Sequence, residues 1–428
     1  MLQAPYVGVG KGKSVDASRG NINLRQVIFE PHKFNDWLFV YSIGRNPDDD
    51  QDDADFAFDS LKKASQTFGI GYNEPNWVEV DARNFGDWEH DLVQKEKKLK
   101  NKPSFVVYFL KPFEKNYYDS LKMLTFELFG CPSQVIQRRI LSRDNKKGVM
   151  SCASKITLQM NAKMGHPIWF IENKHKFWHT TGQKVAVGSI AISKAKQGSA
   201  ISFVGTTDSK LIRYTNAGEM VKSRDALSAA FFEGLFTSWI KEYYIENGKS
   251  LPSVIIIYRE GLNDVQARRA FEGEIDGLNM ALEKIRKKSK VADYEPKITY
   301  VLVNKKPNER MYEGKGKEDI NPEAGSIIFE DLSRDSFKEF HLASVQVNLG
   351  SCTPVSFKVG YETYETPMDA LAEMTYNQCY GYWNWQGPVR VPATLQYANK
   401  LCKTIADSGN KFIDYLKSNN LKNKLFYL

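Results

Sequence analysis

Cysteine is scarce in this sequence, and its spacing excludes several classes of protein. The 428 residues include five cysteines, with no C-x-x-C pair and no other close spacing. Such a distribution builds neither a disulfide framework nor a cysteine-ligated zinc site, and the six histidines supply no second ligand set. We therefore predict reduced thiols in an intracellular protein. The cysteines are Cys131, Cys152, Cys352, Cys379 and Cys402.

Long hydrophobic runs are also missing. No apolar stretch approaches the roughly 20 residues that a membrane-spanning helix needs. The amino-terminal sequence MLQAPYVGVGKGK lacks the apolar core of a signal peptide. We expect no membrane partner and a location in the cytoplasm or the nucleus.

The sequence does have a modest positive charge and enough hydrophobic residues to form sizeable cores. Lys and Arg number 59 against 51 Asp and Glu, a net charge of +8. This excess is compatible with a polyanionic partner but is common in proteins that have none. A hydrophobic content of 42% excludes wholesale disorder, and the length suits two domains.

The first half alternates strand and helix patterns, which predicts a parallel, Rossmann-like sheet. We take residues 1–25, rich in Gly, Lys, Asn and Ser, as a linker and 26–165 as the first domain. The acidic run 48–55 lacks the Gly and the final Glu of a calcium-binding loop, so we interpret it as a solvated turn. Strands are predicted at 37–43, 105–110 and 132–141, and helices at 56–69, 116–129 and 152–165.

The second half, 166–428, contains the sequence SVIIIYREG at 253–261. Its unalternated β-branched residues predict a strand that is buried on both faces, with Glu260 at the carboxyl end, where ligands bind in open α/β sheets. Taken alone, this pattern also fits a core strand followed by a solvated acid. Further strands are predicted at 184–192 and 297–304, a β-rich segment at 200–214, and helices at 225–244, 367–385 and 394–406.

From Ser253 onward the chain resembles the Piwi domain of the Argonaute/Piwi family, in which the corresponding strand ends Tyr-Arg-Asp-Gly. The later sequence YWNWQGPVRVPATLQYANKL, at 382–401, resembles the Piwi branch in particular, and Gly350 and Pro354 precede it in the family's order. The resemblance implies an α/β fold with a Rossmann-like Mid domain at 26–165 and an RNase H-like Piwi domain at 166–428. The family's N-terminal and PAZ domains have no counterpart in this sequence.

The resemblance also implies a pocket for the 5′-phosphate of a small guide RNA in the Mid half. A cation and amide donors suit phosphate oxygens, and a tyrosine can stack on the first base. Alone, each of these residues is more often a solvated surface residue. Gln159 stands where other Argonautes place a lysine, so the pocket has one positive charge fewer. The resemblance implies that Mg²⁺ supplies this charge and that the carboxylate of Leu428 helps to hold the ion. The pocket residues are Tyr118, Lys122, Gln134, Gln159 and Lys163.

The Piwi half lacks the family's cleavage residues at the matching positions. Family slicers hold two Mg²⁺ ions with two Asp, a Glu and usually a His. Here Ile190, Glu260 and Asn399 stand at three of these positions. The Glu region offers Leu227 or Ser228, with Glu219 and Glu233 displaced from the matching position, and Asp208 in the neighbouring strand region is a weak substitute. The resemblance therefore implies no catalytic metal and no enzyme activity.

Three functions compete on this basis. The first is a protein that binds a small guide RNA and its paired target RNA and acts by recruiting silencing effector proteins. The second is an RNA-guided endonuclease with rearranged metal ligands. The third is a degraded or truncated relative that folds but binds little. We favour the first over the third because drift would have eroded Lys122, Gln134 and Lys163 as well, and over the second because Ile190 replaces an Asp. We expect a monomer.

Overall fold

A computed structural model divides the chain into two compact units. Within the described part of the chain, no helix is both long enough and apolar enough to cross a membrane. The four-stranded unit comprises Val9–Lys11, Leu24–Trp169 and Lys411–Leu428, and the eight-stranded unit comprises Met1–Gly8, Gly12–Asn23 and Phe170–Asn410. The structure describes residues 1–18, 20–81, 84–143, 145, 148–179, 183–196, 198–222, 229–261, 271–289, 291, 293–315, 318–329, 338–417 and 419–428.

The four-stranded unit is built on a parallel sheet with the strand order β6-β4-β7-β8. Two of its strands lie where the β-branched and aromatic runs predict them, because such runs suit a sheet covered on both faces. The strands are β4 (Trp37–Ile43), β6 (Asn76–Asp81), β7 (Phe105–Leu110) and β8 (Ser133–Gln137), with a short pair β3 (Lys33–Phe34) and β5 (Gly71–Tyr72). The helices are α1 (Pro47–Phe68), α2 (Phe85–Lys98), α3 (Tyr118–Leu128) and α4 (Val149–Lys163), with 3₁₀ helices at Pro112–Tyr117 and Arg138–Ile140.

The acidic run 48–55 forms the first turns of α1, so the prediction of a solvated turn is wrong. Pro47 at the first helical position and the following acids suit a helix amino terminus, where the dipole favours negative charge. Asp50 and Asp53 are buried, and both accept hydrogen bonds from Arg138. These two charges are therefore neutralised inside the unit, whereas Asp48, Asp49, Asp52 and Asp55 are exposed on the helix surface.

The eight-stranded unit contains a mixed sheet with the order β12-β11-β10-β13-β14-β19-β18-β17. Its three central strands β10, β13 and β14 are parallel, and the outer strands are antiparallel. The strands are β10 (Val185–Ala195), β11 (Gly198–Thr206), β12 (Tyr214–Val221), β13 (Val254–Glu260), β14 (Lys297–Asn304), β17 (Ser326–Phe329), β18 (Glu339–Ala343) and β19 (Val355–Glu362). A separate hairpin joins β15 (Glu313–Lys315) to β16 (Glu318–Ile320).

Helices cover both faces of this sheet. One face packs on α6 and α7 through a hydrophobic cluster that includes Phe203, Trp239 and Leu278. The other face packs on α9, where Ser189 Oγ lies 2.7 Å from Thr394 Oγ1. The helices of this unit are α5 (Lys176–His179), α6 (Ala229–Glu246), α7 (Asp276–Ser289) after a π-helical turn (Phe271–Ile275), α8 (Met368–Cys379) and α9 (Ala393–Ser408). Two short helices, α10 (Asn410–Leu416) and α11 (Asn419–Lys422), follow in the carboxy-terminal segment, which belongs to the four-stranded unit from Lys411 onward.

The division into units differs from the predicted domains at both ends of the chain. Residues 1–25, predicted as a linker, contribute β1 (Tyr6–Gly8) and β2 (Ser14–Val15), which form a three-stranded sheet with β9 (Phe170–Glu172). Val7 and Ile22 are fully buried, so hydrophobic packing holds this segment. The segment Lys411–Leu428 belongs to the four-stranded unit rather than to the second domain.

Candidate functional site

Two of the predicted phosphate-binding residues converge on one backbone carbonyl in the four-stranded unit, and a third contacts one of them. Lys122 Nζ donates to the carbonyl oxygen of Ser133 at 2.6 Å, and Lys163 Nζ donates to the same oxygen at 2.9 Å. Lys163 Nζ also donates to Gln134 Oε1 at 2.8 Å. Residues that lie on three separate elements of the sequence thus form one polar cluster, which we call the lysine pocket (Lys122, Ser133, Gln134 and Lys163).

The elements that surround the sheet position these side chains. Lys122 comes from α3, Gln134 from the start of β8, and Lys163 from the last turn of α4. The Tyr118 ring, one turn before Lys122, is 45% exposed, and its centroid lies 5.7 Å from Lys122 Nζ. Gln159 lies one turn before Lys163 on α4 and is half-buried. The exposed aromatic ring therefore flanks two shielded ammonium groups.

Burial makes positive charge unfavourable in the lysine pocket. Burial lowers the pKa of Lys122 to about 8. Burial and the neighbouring Lys122 together hold the pKa of Lys163 well below its usual range. Among the described residues, no carboxylate lies within ion-pair distance of either ammonium group. A bound anion would supply the missing negative charge.

Replacing Lys122 by Met is expected to stabilise the fold near pH 7 by on the order of 1–3 kcal/mol. Lys122 has a folded pKa of about 8 and an unfolded pKa near 10.5, so the unfolded chain binds more protons between these pH values. Wild-type stability should therefore rise with pH across that window. Met keeps most of the side-chain volume, and Lys163 remains as the donor to Ser133.

Thermal unfolding at pH 7 and pH 10 tests this expectation. The midpoint of the Lys122→Met variant should exceed that of the wild type at pH 7, and the gap should narrow at pH 10. A lower midpoint for the variant at pH 7 would show that the buried ammonium group stabilises the fold instead of destabilising it.

The carboxy-terminal segment packs in the same unit as the lysine pocket. The Phe126 ring contacts Phe412 and Phe426, and Leu428 is buried. Gly165, which follows α4, has φ +84°, and a Cβ atom there would lie 2.6 Å from the carbonyl oxygen of Asn423. Only glycine allows this close approach without strain.

The lysine pocket does not fit a divalent ion on its own. Hard cations such as Mg²⁺ need anionic oxygens, whereas two ammonium groups converge here on a neutral carbonyl. The Mg²⁺ site with Leu428 therefore stays a prediction.

Two of the three positions that match the family's cleavage residues lie together in the eight-stranded unit. Glu260, at the end of β13, accepts a hydrogen bond from Asn399 Nδ2 on α9 at 2.6 Å. Its other carboxylate oxygen forms an ion pair with Lys305, the first residue after β14. Since β13 and β14 are parallel neighbours, their carboxyl ends meet at one edge of the sheet. The carboxylate is therefore already paired with a cation.

The third position, Ile190, faces the opposite side of the sheet. Ile190 is fully buried in the cluster that packs on α6 and α7. Its neighbour Ser189 faces α9, the helix that carries Asn399, and successive residues of a strand alternate between faces. The structure thus brings Glu260 and Asn399 together and leaves Ile190 in the core.

The other acids considered as metal ligands have structural contacts. Asp208 Oδ1 accepts backbone hydrogen bonds from Ile212 and Arg213, both at 2.8 Å, and burial raises its pKa. Glu233 forms an ion pair with Lys284. Leu227 and Ser228 lie outside the described residues. Within the described ranges, no group of three or more His, Cys, Asp and Glu side chains could hold a metal ion.

Comparison with known families decides the classification. The family model for the Piwi domain matches residues 105–410, which is more than half of the chain. This chain belongs to the Piwi domain family. Piwi-like protein 1 of Gallus gallus is 29% identical over 396 residues, which cover 92% of this chain and 42% of that protein. The chain spans less than half the length of the curated relatives it matches.

Solved structures show the same fold for this Piwi chain. The C-terminal lobe of a budding yeast Argonaute matches with a TM-score of 0.83 at 18% identity, covering 100% of this chain and 94% of that one. Drosophila Piwi matches with a TM-score of 0.81 at 20% identity, covering 100% of this chain and 56% of that one. The predicted α/β fold, with Mid and Piwi domains, is confirmed.

Sequence reasoning missed one residue of the Glu260 region of this Piwi chain. Lys305 belongs to a Lys- and Gly-rich stretch at 305–317 that is unremarkable in the sequence. The available signal was its place directly after a buried strand, β14. If β13, which ends in Glu260, is the parallel neighbour of β14, then Glu260 and Lys305 lie at the same edge of the sheet.

Proposed function

We propose that this Piwi chain binds a small guide RNA by its 5′-phosphate and acts by guide-directed recruitment rather than by cleavage. The observation that carries the proposal is the lysine pocket, in which Lys122 and Lys163 converge without a nearby carboxylate in the described chain. Buried cations without counter-charge are costly, and a phosphate group would offset that cost. This imbalance of charge favours a bound anion over a purely structural role.

The neighbouring side chains suit the rest of a guide terminus. Gln134 and Gln159 carry amides that can donate to phosphate oxygens, and a phosphate accepts several charge-assisted hydrogen bonds at once. The exposed ring of Tyr118 offers a surface on which a first base can stack. Should Mg²⁺ enter this pocket, the phosphate would first have to offset the two ammonium charges.

We further propose that the chain does not cut its target. Glu260 is paired with Lys305, Asn399 offers a neutral amide, and Ile190 is in the core. Two-metal cleavage needs carboxylates that bridge and neutralise two dications. The runner-up, an RNA-guided endonuclease with rearranged ligands, would need acids from outside the described residues.

The partners follow from this proposal. A paired RNA target would bind through the guide, and silencing effector proteins would be recruited to that target. The chain would act as a monomer. The Kluyveromyces polysporus Argonaute that shares this fold was solved with a guide RNA.

Competition between a 5′-phosphorylated RNA and the same RNA with a 5′-hydroxyl tests the proposed function. The phosphorylated RNA should bind more tightly, and its affinity should fall as the pH rises from about 7 to about 9.5. The reason is that Lys122, with a pKa of about 8, must be protonated when phosphate binds. Each proton taken up changes affinity by up to about tenfold per pH unit. Equal affinity for both RNAs at every pH would overturn the proposal.

A further inference from the structure

The carboxylate at the edge of the central strands already has a resident cation. The Lys305 ammonium pairs with one oxygen of Glu260, while Asn399 Nδ2 donates to the other oxygen at 2.6 Å. The side chain of Glu260 is only 19% exposed, so both oxygens are largely shielded from water. A divalent ion at this carboxylate would lie beside the Lys305 ammonium group, which repels it.

Lys305 and Asn399 have N–H donors that no carboxylate or carbonyl of the described residues accepts. An ammonium group has three N–H donors and an amide nitrogen has two. Within the described chain, Lys305 Nζ has Glu260 as its single partner, and Asn399 Nδ2 likewise. The Lys305 side chain is 33% exposed. Three N–H groups from two residues can therefore reach an anion from the solvent side.

The backbone of Lys305 is also held in place. The guanidinium group of Arg390 donates to the Lys305 carbonyl oxygen at 2.9 Å and to the Thr353 carbonyl oxygen at 3.1 Å. Arg390 is exposed, and so is Lys400, which follows Asn399 on α9. The positive charges around Glu260 outnumber its single negative charge, so the surface of this site attracts anions.

We propose that Lys305 substitutes for a divalent ion at Glu260 and that Lys305 and Asn399 together bind a phosphodiester of the guide–target duplex without metal. The side chain of Glu260 places the Lys305 ammonium and the Asn399 amide at one point, while its negative charge opposes the bound anion. The proposal rests on the proposed function, because the duplex is formed with the guide. Its ligand is the RNA backbone rather than a metal ion.

Target binding by the guide-loaded full chain tests this inference. Lys305→Ala should weaken target binding about tenfold and reduce the slope of log affinity against log salt by about one. Lys306→Ala, the matched control, removes a neighbouring exposed lysine and should change target affinity less than about threefold. EDTA should not change wild-type affinity. A loss of affinity on chelation, or equal effects of the two substitutions, would overturn the inference.

A second variant should change target affinity in the opposite direction to Lys305→Ala. Glu260→Gln removes the negative charge beside Lys305 and keeps a similar shape, so target affinity should rise several-fold. A fall would show that the carboxylate itself contributes to binding, as it would through a metal ion. Guide affinity, measured separately, should be unchanged in all three variants. Failure of the wild type to bind guide would count against the proposed function, whereas normal guide binding with no effect of Lys305→Ala would count against this inference alone.

Discussion

Substituting Lys163 or Lys122 by Ala is expected to weaken the binding of a 5′-phosphorylated RNA about ten- to hundredfold. A hydrogen bond to a charged group contributes roughly 1.5–3 kcal/mol, which corresponds to this range. Both ammonium groups point at the Ser133 carbonyl, so one phosphate can contact both. Binding of the 5′-hydroxyl RNA should hardly change, because it brings no phosphate to the pocket.

Lys155→Ala is the matched control for this prediction. Lys155 lies on α4, the helix that carries Lys163, but is exposed. Its removal should lower the affinity for both RNAs slightly and equally. If Lys163→Ala also lowered the two affinities equally, the lysines would be part of a general basic surface rather than a phosphate pocket.

The second prediction is that the protein does not cleave its target. Loaded with guide and given Mg²⁺ or Mn²⁺, the unaltered protein should leave a fully paired target intact. Two dications held close together repel strongly unless carboxylates compensate them, and Glu260 is already paired with Lys305. Losing the whole ligand set should abolish the chemistry rather than slow it.

Separation of end-labelled target at single-nucleotide resolution measures this outcome. Uncut target alongside normal target binding is the expected result. Guide-directed cleavage at one defined phosphodiester would show that the metal ligands lie elsewhere. The combined change Ile190→Asp, Glu260→Asp and Asn399→His should not restore cutting, since residue 190 faces the hydrophobic cluster on the other side of the sheet.

Parts of the fold follow directly from local sequence patterns. The strands Trp37–Ile43, Phe105–Leu110 and Lys297–Asn304 have the predicted bounds, because unalternated β-branched and aromatic runs are typical of strands that are covered on both faces. The local pattern does not predict β6 (Asn76–Asp81), since its exposed polar residues dilute the signal.

Other parts depend on contacts that no local pattern reveals. The acids of α1 look solvated until Arg138, which is distant in the sequence, pairs with Asp53. The segment 1–25 looks like a linker until β1 pairs with β9. In both cases, contacts with residues far away in the sequence decide the structure, and the local amino-acid composition does not predict it.

The candidate site also has features that the sequence predicts and features that depend on distant contacts. The spacing of Lys122, Gln134 and Lys163 predicts a pocket only through the family resemblance, and the structure adds the shared Ser133 carbonyl. The pairing of Lys305 with Glu260 depends on the strand order β13-β14. That order is a property of the sheet and cannot be read from either strand alone.

The most direct test of the central claim is to isolate the protein from its own cells and to sequence the RNA that copurifies with it. Guide binding through the lysine pocket predicts small RNAs of a narrow length range with 5′-phosphates, and it predicts their loss when Lys122 and Lys163 are both replaced by Ala. RNA of broad length without 5′-phosphates, or the same RNA on the double variant, would contradict guide binding through this pocket.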